Sequence, residues 1–381
     1  MRDNDSFAAR AARPWLGPFL ALSIALLGAD VVKAADAGGS LLASLHTNSM
    51  VASTVPANGD VNPYGVAVVP RTSGALVRGN VLVSNFNNSA NLQGTGTTIV
   101  QVAPDGTFSL FAQLTPGSLN GPCPGGVGLT TALAVLRSGW VIVGSLPTSD
   151  GTAATAGAGC LIVVNNQGQP VGTLSGNGIN GPWDMTAVGM DNRVVLFVTN
   201  VLNGTVAGNG APVQQGTVLR IVLGFPEEDE DGGAPVELSH MVIASGFSER
   251  TDPSALVIGP TGVALGHDDV LYVADTFANR IAAIAHALFR STDAGTGTTV
   301  SAGGALNAPL GLAIAGNGHI LTTNGGDGNM VETTPHGVQV DSQFVDSTGA
   351  GAGTLFGLAL AHPKAVYFVN DGNNTLNVLQ K

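Results

Sequence analysis

The sequence predicts an all-β protein, a six-bladed β-propeller, and three observations carry that expectation. Glycine supplies 54 of 381 residues, 44% of the chain is hydrophobic and only 10% is charged. That balance is too apolar for disorder and too rich in glycine for a helical protein; it fits many short strands joined by glycine turns. A short motif then recurs six times, and each copy is followed by a second apolar run ending in small polar residues. Self-similar units of this size are the mark of a propeller.

The first motif is plain in Pro63-Tyr64-Gly65-Val66-Ala67, Pro260-Thr261-Gly262-Val263-Ala264 and Pro309-Leu310-Gly311-Leu312-Ala313. Weaker copies are Gly126-Val127-Gly128-Leu129, Pro182-Trp183-Asp184-Met185 and Leu355-Phe356-Gly357-Leu358-Ala359. The second runs end at Ser84-Asn85, Gly144-Ser145, Thr199-Asn200, Ala274-Asp275, Thr323-Asn324 and Val369-Asn370. Third strands are expected at 98–103, 161–165, 218–223 and 329–333, and outer strands at 108–112 and 240–244. The last unit runs out of chain after its third strand, at 375–379, whereas 40–50 is spare ahead of the first unit. That spare segment is expected to supply the missing outer strand and close the ring, leaving no open sheet edge.

The N-terminus reads as a secretory signal over 1–34: Arg2, Arg10 and Arg13, an apolar run over 15–28, then small residues through Ala37. The run is short of the ~20 residues that a spanning helix needs, and no cysteine follows it to carry a lipid anchor. The expected organisation is therefore a signal over 1–34, an N-terminal segment with the closing strand over 35–59, and the propeller over 60–381. The mature protein is expected in the periplasm or secreted, without membrane insertion. A net charge of −12 argues against nucleic acid and anionic membrane as partners. Cys123 and Cys160, 37 residues apart, are expected to form a disulfide in an oxidising compartment.

Within this frame a family resemblance becomes specific. Val270-Leu271-Tyr272-Val273-Ala274-Asp275-Thr276-Phe277-Ala278-Asn279-Arg280-Ile281 resembles the consensus of the NHL repeat, and 366–376 is a looser copy. The resemblance covers about residues 60–381 and implies a propeller of NHL type. Such propellers serve as binding platforms. Related rings include streptogramin lyases and gluconolactonase-like metal hydrolases, so the fold leaves the function open.

Propeller geometry brings the first-motif starts and second-strand ends to one mouth of the central channel. Tyr64, Val127, Trp183, Thr261, Leu310 and Phe356 are expected to rim it, with Tyr64, Trp183 and Phe356 as a partial aromatic collar. Asp184 stands where the other copies carry glycine, as a ligand or base at the mouth or as a cap on backbone amides. Asn85, Asn200, Asp275, Asn324 and Asn370, with Asp371 beside them, form a ring of hard oxygen donors suited to calcium or magnesium. Gluconolactonase-like rings hold a divalent ion with Asn, Asp and Glu; here no glutamate matches that set. The same Asn/Asp pattern is also an ordinary turn signal.

Other signals lead nowhere. Residues 176–181 fit GxGxxG but precede a strand rather than a helix. The acidic run at 227–231 is placed on the opposite face. No HExxH, GxSxG, CxxC or P-loop pattern occurs, nor a His and Glu pair like that of the streptogramin lyases. The expected function is a non-catalytic binding module, its mouth and the loops near 86–96, 146–159 and 201–215 holding a small molecule, glycan, peptide or envelope protein. The alternative is a divalent-metal-dependent lactonase or lyase, with Asp184, Asn200 and Asp275 as ligands.

The signal reading predicts that the exported protein begins at Ala35 or Gly38. Intact mass spectrometry of secreted or periplasmic material checks this; a species retaining Met1 contradicts it.

Overall fold

The computed structural model describes residues 39–190, 192–226, 233–361 and 364–381. The signal segment and the acidic run at 227–231 lie outside these residues. Six antiparallel sheets stand in a ring as the blades of a β-propeller. Their innermost strands are Val61–Val68, Leu129–Val135, Pro182–Met190, Pro260–Leu265, Pro309–Ile314 and Leu355–Ala361. Each pairs with the next strand in the chain, and successive pairings complete a sheet of four; the third blade adds the short strand Leu256–Ile258.

Second strands are covered on both faces by neighbouring blades, which explains their unbroken apolar runs. Val81–Asn87, Val141–Ser145 and Ile320–Asn324 are buried along their whole length. Outer strands face solvent on one side, so Gln339–Phe344 alternates half-buried with exposed residues.

An N-terminal strand closes the ring. Thr47–Ser53 pairs with the last strand, Thr375–Gln380, and becomes the outer strand of the sixth blade. The spare segment at 40–50 thus divides. Its second half joins the closing strand, while its first half forms a short turn, Leu42–Ser44, anchored on the fifth blade. The Glu332 carboxylate accepts the Leu41 N–H at 3.0 Å, the Leu42 N–H at 2.8 Å and the Ser40 hydroxyl at 2.8 Å. These donors outweigh the cost of burial and hold the Glu332 carboxyl below its ordinary range. Leu42 and Leu45 are buried beside it.

Strand register corrects the reading of the second blade. Pro63, Pro182, Pro260, Pro309 and Leu355 each face the polar residue that ends the second strand of their blade. In the second blade the residue so placed, opposite Ser145, is Leu129. The rim residue there is therefore Thr130, not Val127, and the glycine place is held by Thr131, not Gly128. A bulge between Leu129 and Leu133 hides this shift from motif alignment.

Innermost strands approach one another backbone to backbone. A Cβ at Gly262 would collide with the Leu310 carbonyl, at Gly311 with the Phe356 carbonyl, and at Gly357 with the Tyr64 carbonyl. Hydroxyls lock these seams. Ser84 donates to the Thr130 carbonyl at 2.7 Å, Thr199 to the Thr261 carbonyl at 2.7 Å, and Thr323 to the Phe356 carbonyl at 2.6 Å. Thr261 itself donates to the Leu310 carbonyl at 3.0 Å.

Cys123 and Cys160 form a disulfide, with Cα atoms 5.2 Å apart. It ties the linker entering the second blade to the start of that blade's third strand, Cys160–Val164. Replacing both cysteines with serine is expected to cost about 3–4 kcal/mol through the 37-residue loop that the bond closes. A lowered denaturant midpoint checks this; an unchanged midpoint contradicts it.

Candidate functional site

The rim aromatics do converge, but on one another. The Tyr64 and Phe356 rings stack with centroids 4.0 Å apart, Phe86 stacks on Tyr64 at 4.5 Å, and Trp183 tilts against Tyr64 at 6.1 Å. Tyr64, Trp183 and Phe356 are each 2% exposed, so the collar is a plug across the channel and not an open ring. Burial, with the nearby Asp371, raises the Tyr64 hydroxyl well above the ordinary tyrosine range.

A hairpin lies over the plug. The long fourth strand of the third blade, Val236–Asp252, turns back into Leu256–Ile258, with Arg250 opposite Ile258 and Asp252 opposite Leu256. Asp252 shapes the turn by accepting the Ser254 N–H at 2.9 Å. Leu256 and Val257 are buried in the same apolar cluster as the aromatic plug. From the first blade, Gln93 donates to the Pro253 carbonyl at 3.0 Å, so the hairpin is also tied to that blade. The mouth that motif geometry left open is sealed.

Beside the hairpin is a cavity of about 480 Å³, whose lining includes Arg250, Asp252, Ser254, Thr276, Phe277 and Phe356. Arg250 meets Asp252 at 3.3 Å, and its guanidinium carbon lies 5.6 Å from the centre of the Phe277 ring. The buried Arg250 Nε has no hydrogen-bond partner. Phe356 is the only rim aromatic among the lining residues of this cavity.

The structure does not bring the Asn/Asp ring together. Asn85 donates to the Thr54 carbonyl at 3.0 Å, Asn324 to the Ala305 carbonyl at 2.8 Å and Asn370 to Asp346 at 2.7 Å. Asn200 accepts the Asn180 N–H at 3.0 Å, and Asp275 is paired with Arg280 at 2.8 Å. Each side chain ties the end of a second strand to its own blade or to the linker entering it. The Oδ1 atoms of Asn85, Asp275, Asn324 and Asn370 are buried without a hydrogen-bond partner. Among the described residues, no three His, Cys, Asp or Glu side chains stand close enough to hold a metal. Asp371 lies by Tyr64, its carboxyl raised by burial to about 6.

Asp184 occupies the channel itself. Its carboxylate accepts the Met185 N–H at 2.8 Å and, across the seam to the fourth blade, the Val263 N–H at 3.1 Å. It lines a cavity of about 290 Å³ among the innermost strands, which includes Leu265, Ile314 and Leu360 near their far ends. Thr131 lines it too, with a buried hydroxyl that has no partner. Burial lifts the Asp184 carboxyl to about 7 despite the two amides.

Sequence reasoning missed several of these groups. The Arg250 to Asp252 hairpin lies in an insertion outside the repeat. The seam hydroxyls were visible as Ser or Thr before Asn in alternate blades, at Ser84, Thr199 and Thr323. Glu249 carries no motif; it is fully buried, neither carboxyl oxygen has a partner, and burial lifts it to about 8.

No protein-family model matches this chain, and no curated protein matches it in sequence. Its structure is nevertheless similar to several solved ones. A gluconolactonase from Xanthomonas campestris superposes with a TM-score of 0.54 at 14% identity, over 89% of this chain and 91% of that one. Virginiamycin B lyase from Staphylococcus aureus gives 0.50 at 15%, over 88% and 98%. An aldose sugar dehydrogenase from Streptomyces coelicolor, with bound PQQ, gives 0.52 at 15%, over 88% and 99%. The likeness is one of fold: all share the propeller ring.

The raised carboxyls set a pH dependence. Between the unfolded value near 4 and the folded values of about 7 and 8, native Asp184 and Glu249 keep protons that the unfolded chain has released. Stability therefore falls as pH rises through this window. The melting temperature is expected to be lower at pH 8 than at pH 5, and Glu249→Gln to shrink the difference. A melting temperature that rises from pH 5 to pH 8 contradicts this.

Proposed function

We propose that this protein is an exported, non-catalytic binding module that holds a hydroxyl-rich small molecule, a saccharide in its chemistry. The ligand sits in the cavity between the hairpin and the fourth to sixth blades. One observation carries the reading: Arg250 and Asp252 stand side by side, 3.3 Å apart, in the lining of one cavity, with the Arg250 guanidinium over the Phe277 ring. A sugar hydroxyl both accepts and donates, so an adjacent donor and acceptor match it where a simple anion or cation would meet one repelling partner. Ser254 adds a further hydroxyl-bearing residue to the same wall. The volume, about 480 Å³, is in the range of small-molecule sites. Tyr64 and Trp183 support Phe356 from behind without touching the ligand.

Export is supported by the disulfide, which persists in oxidising compartments. No helix among the described residues is long and apolar enough to cross a membrane. The rival reading, a divalent-metal-dependent lactonase or lyase, draws on the names of proteins that share the fold. In the structure Asn200 accepts the Asn180 N–H and Asp275 is paired with Arg280 through one of its two oxygens.

Thermal-shift measurements over a panel of mono- and disaccharides test the proposal. At least one sugar is expected to raise the melting temperature; saturation at a hundred times Kd gives about 2.7 kcal/mol. Arg250→Ala is expected to weaken binding about tenfold or more while leaving the unliganded fold intact. A panel without effect, or an undiminished response in Arg250→Ala, overturns it. Elemental analysis of chelator-free protein is expected to find no bound metal; stoichiometric calcium or magnesium moves the lactonase or lyase reading ahead.

A further inference from the structure

The face of the ring away from the plug carries a cleft of about 710 Å³ at the foot of the second and third blades. Two hairpin turns build it. Each joins an innermost strand to the second strand of its blade, so both lie where the innermost strands end. In the second blade the Leu136 N–H donates to the Trp140 carbonyl at 2.7 Å and the Gly139 N–H to the Leu136 carbonyl at 2.9 Å. Those bonds close a tight turn with Arg137 and Ser138 at its tip. In the third blade Arg193 lies opposite Met190 on one side and opposite Gly224 on the other, and Phe225 follows Gly224. Arg137, Ser138, Arg193 and Phe225 thereby line one cleft.

The charge in this cleft is unbalanced. Elsewhere in the propeller arginine heads are engaged: Arg220 donates to the Ala287 carbonyl, Arg280 to Asp275 and Arg290 to the Ala285 carbonyl. Arg137 and Arg193 are exposed, and among the described residues their side chains have no hydrogen-bond or ion-pair partner. No acidic side chain belongs to the lining of the cleft. In a chain of net charge −12, two such guanidinium groups on one concave surface stand out. Between them the wall that solvent reaches is more apolar than polar, with Val135, Val188 and Phe225 half-buried in it. A concave apolar surface with a few polar groups, of this volume, has the composition of a small-molecule site. Guanidinium groups match the two oxygens of a carboxylate in geometry and charge. A singly charged head also meets less repulsion from the acidic protein than a phosphate dianion would. The apolar wall selects a hydrocarbon body behind that head.

We propose that this cleft binds a medium-chain carboxylate, its head held by Arg137 and Arg193 and its chain lying along Val135, Val188 and Phe225. The site stands on the other face of the ring from the saccharide cavity and does not depend on that reading.

The experiment uses octanoate as probe, below its micellar range, by calorimetry on the mature protein, with octanol and acetate as controls. Octanoate is expected to bind with one site per chain and to weaken as salt is added. Octanol lacks the charge and acetate lacks the chain; both are expected to be at least tenfold weaker. From butanoate through hexanoate to octanoate, each added methylene is expected to tighten binding about two- to fourfold. Arg137→Gln and Arg193→Gln are each expected to weaken octanoate about fivefold or more, and the double variant to abolish its binding. Both positions are exposed, so the melting temperatures of these variants are expected to stay near that of the wild type. Arg250→Ala is expected to bind octanoate unchanged; loss of binding there assigns octanoate to the saccharide cavity and overturns the proposal. No binding by the wild-type protein overturns it, as do equal binding of octanol, a flat chain-length series or undiminished binding by the double variant. Should the double variant fail to fold, the single variants decide: unaltered affinity in both overturns it.

Discussion

The seam between adjacent innermost strands is the constraint on which the rest of this propeller depends. Six strands meet around one axis, and at Gly262, Gly311 and Gly357 they come close enough that a side chain would strike the next backbone. Such an approach leaves carbonyls facing away from their own sheet. Ser84, Thr199, Thr261 and Thr323 supply hydrogen bonds to them across the seams. The ring is thus held by short polar links at its centre and by apolar packing between blades farther out. Its last gap is closed by the pairing of Thr47–Ser53 with Thr375–Gln380, which places both ends of the propeller in one sheet.

That tight centre divides the axis into two unlike ends. On one side the rim residues are large, and Tyr64, Trp183 and Phe356 fill the opening until nothing passes. The Arg250 to Ile258 hairpin then covers them, so the accessible chemistry moves sideways to the wall formed by Arg250, Asp252 and Phe277. On the other side the residues that follow the glycines are aliphatic and leave a well, with Asp184 and Thr131 at its polar end. Asp184 meets the Val263 N–H.

The Asn and Asp residues that end the second strands illustrate why residue type alone does not define a metal site. Oxygen donors at repeated positions in a ring look convergent when written in one dimension. In three dimensions each faces its own linker or turn, where Asn370 grips Asp346 and Asn85 grips Thr54. Their role is the one that short amides commonly have at strand ends, fixing a turn.

The sequence by itself determined the blades, because periodic apolar strands, motif prolines and glycine turns are local properties that repeat whatever the surroundings. It likewise determined ring closure, since the last unit lacked a strand that the N-terminus could provide, and it placed Cys123 and Cys160 at one face of one blade. Only the tertiary structure decided what the rim residues do. Whether an aromatic collar is open or filled depends on ring-to-ring distances of 4–6 Å across different blades, which no local pattern encodes. The same holds for the second blade, where a bulge moved Thr131 into the glycine place, and for the hairpin, an insertion outside the repeat whose position was set by packing on the plug.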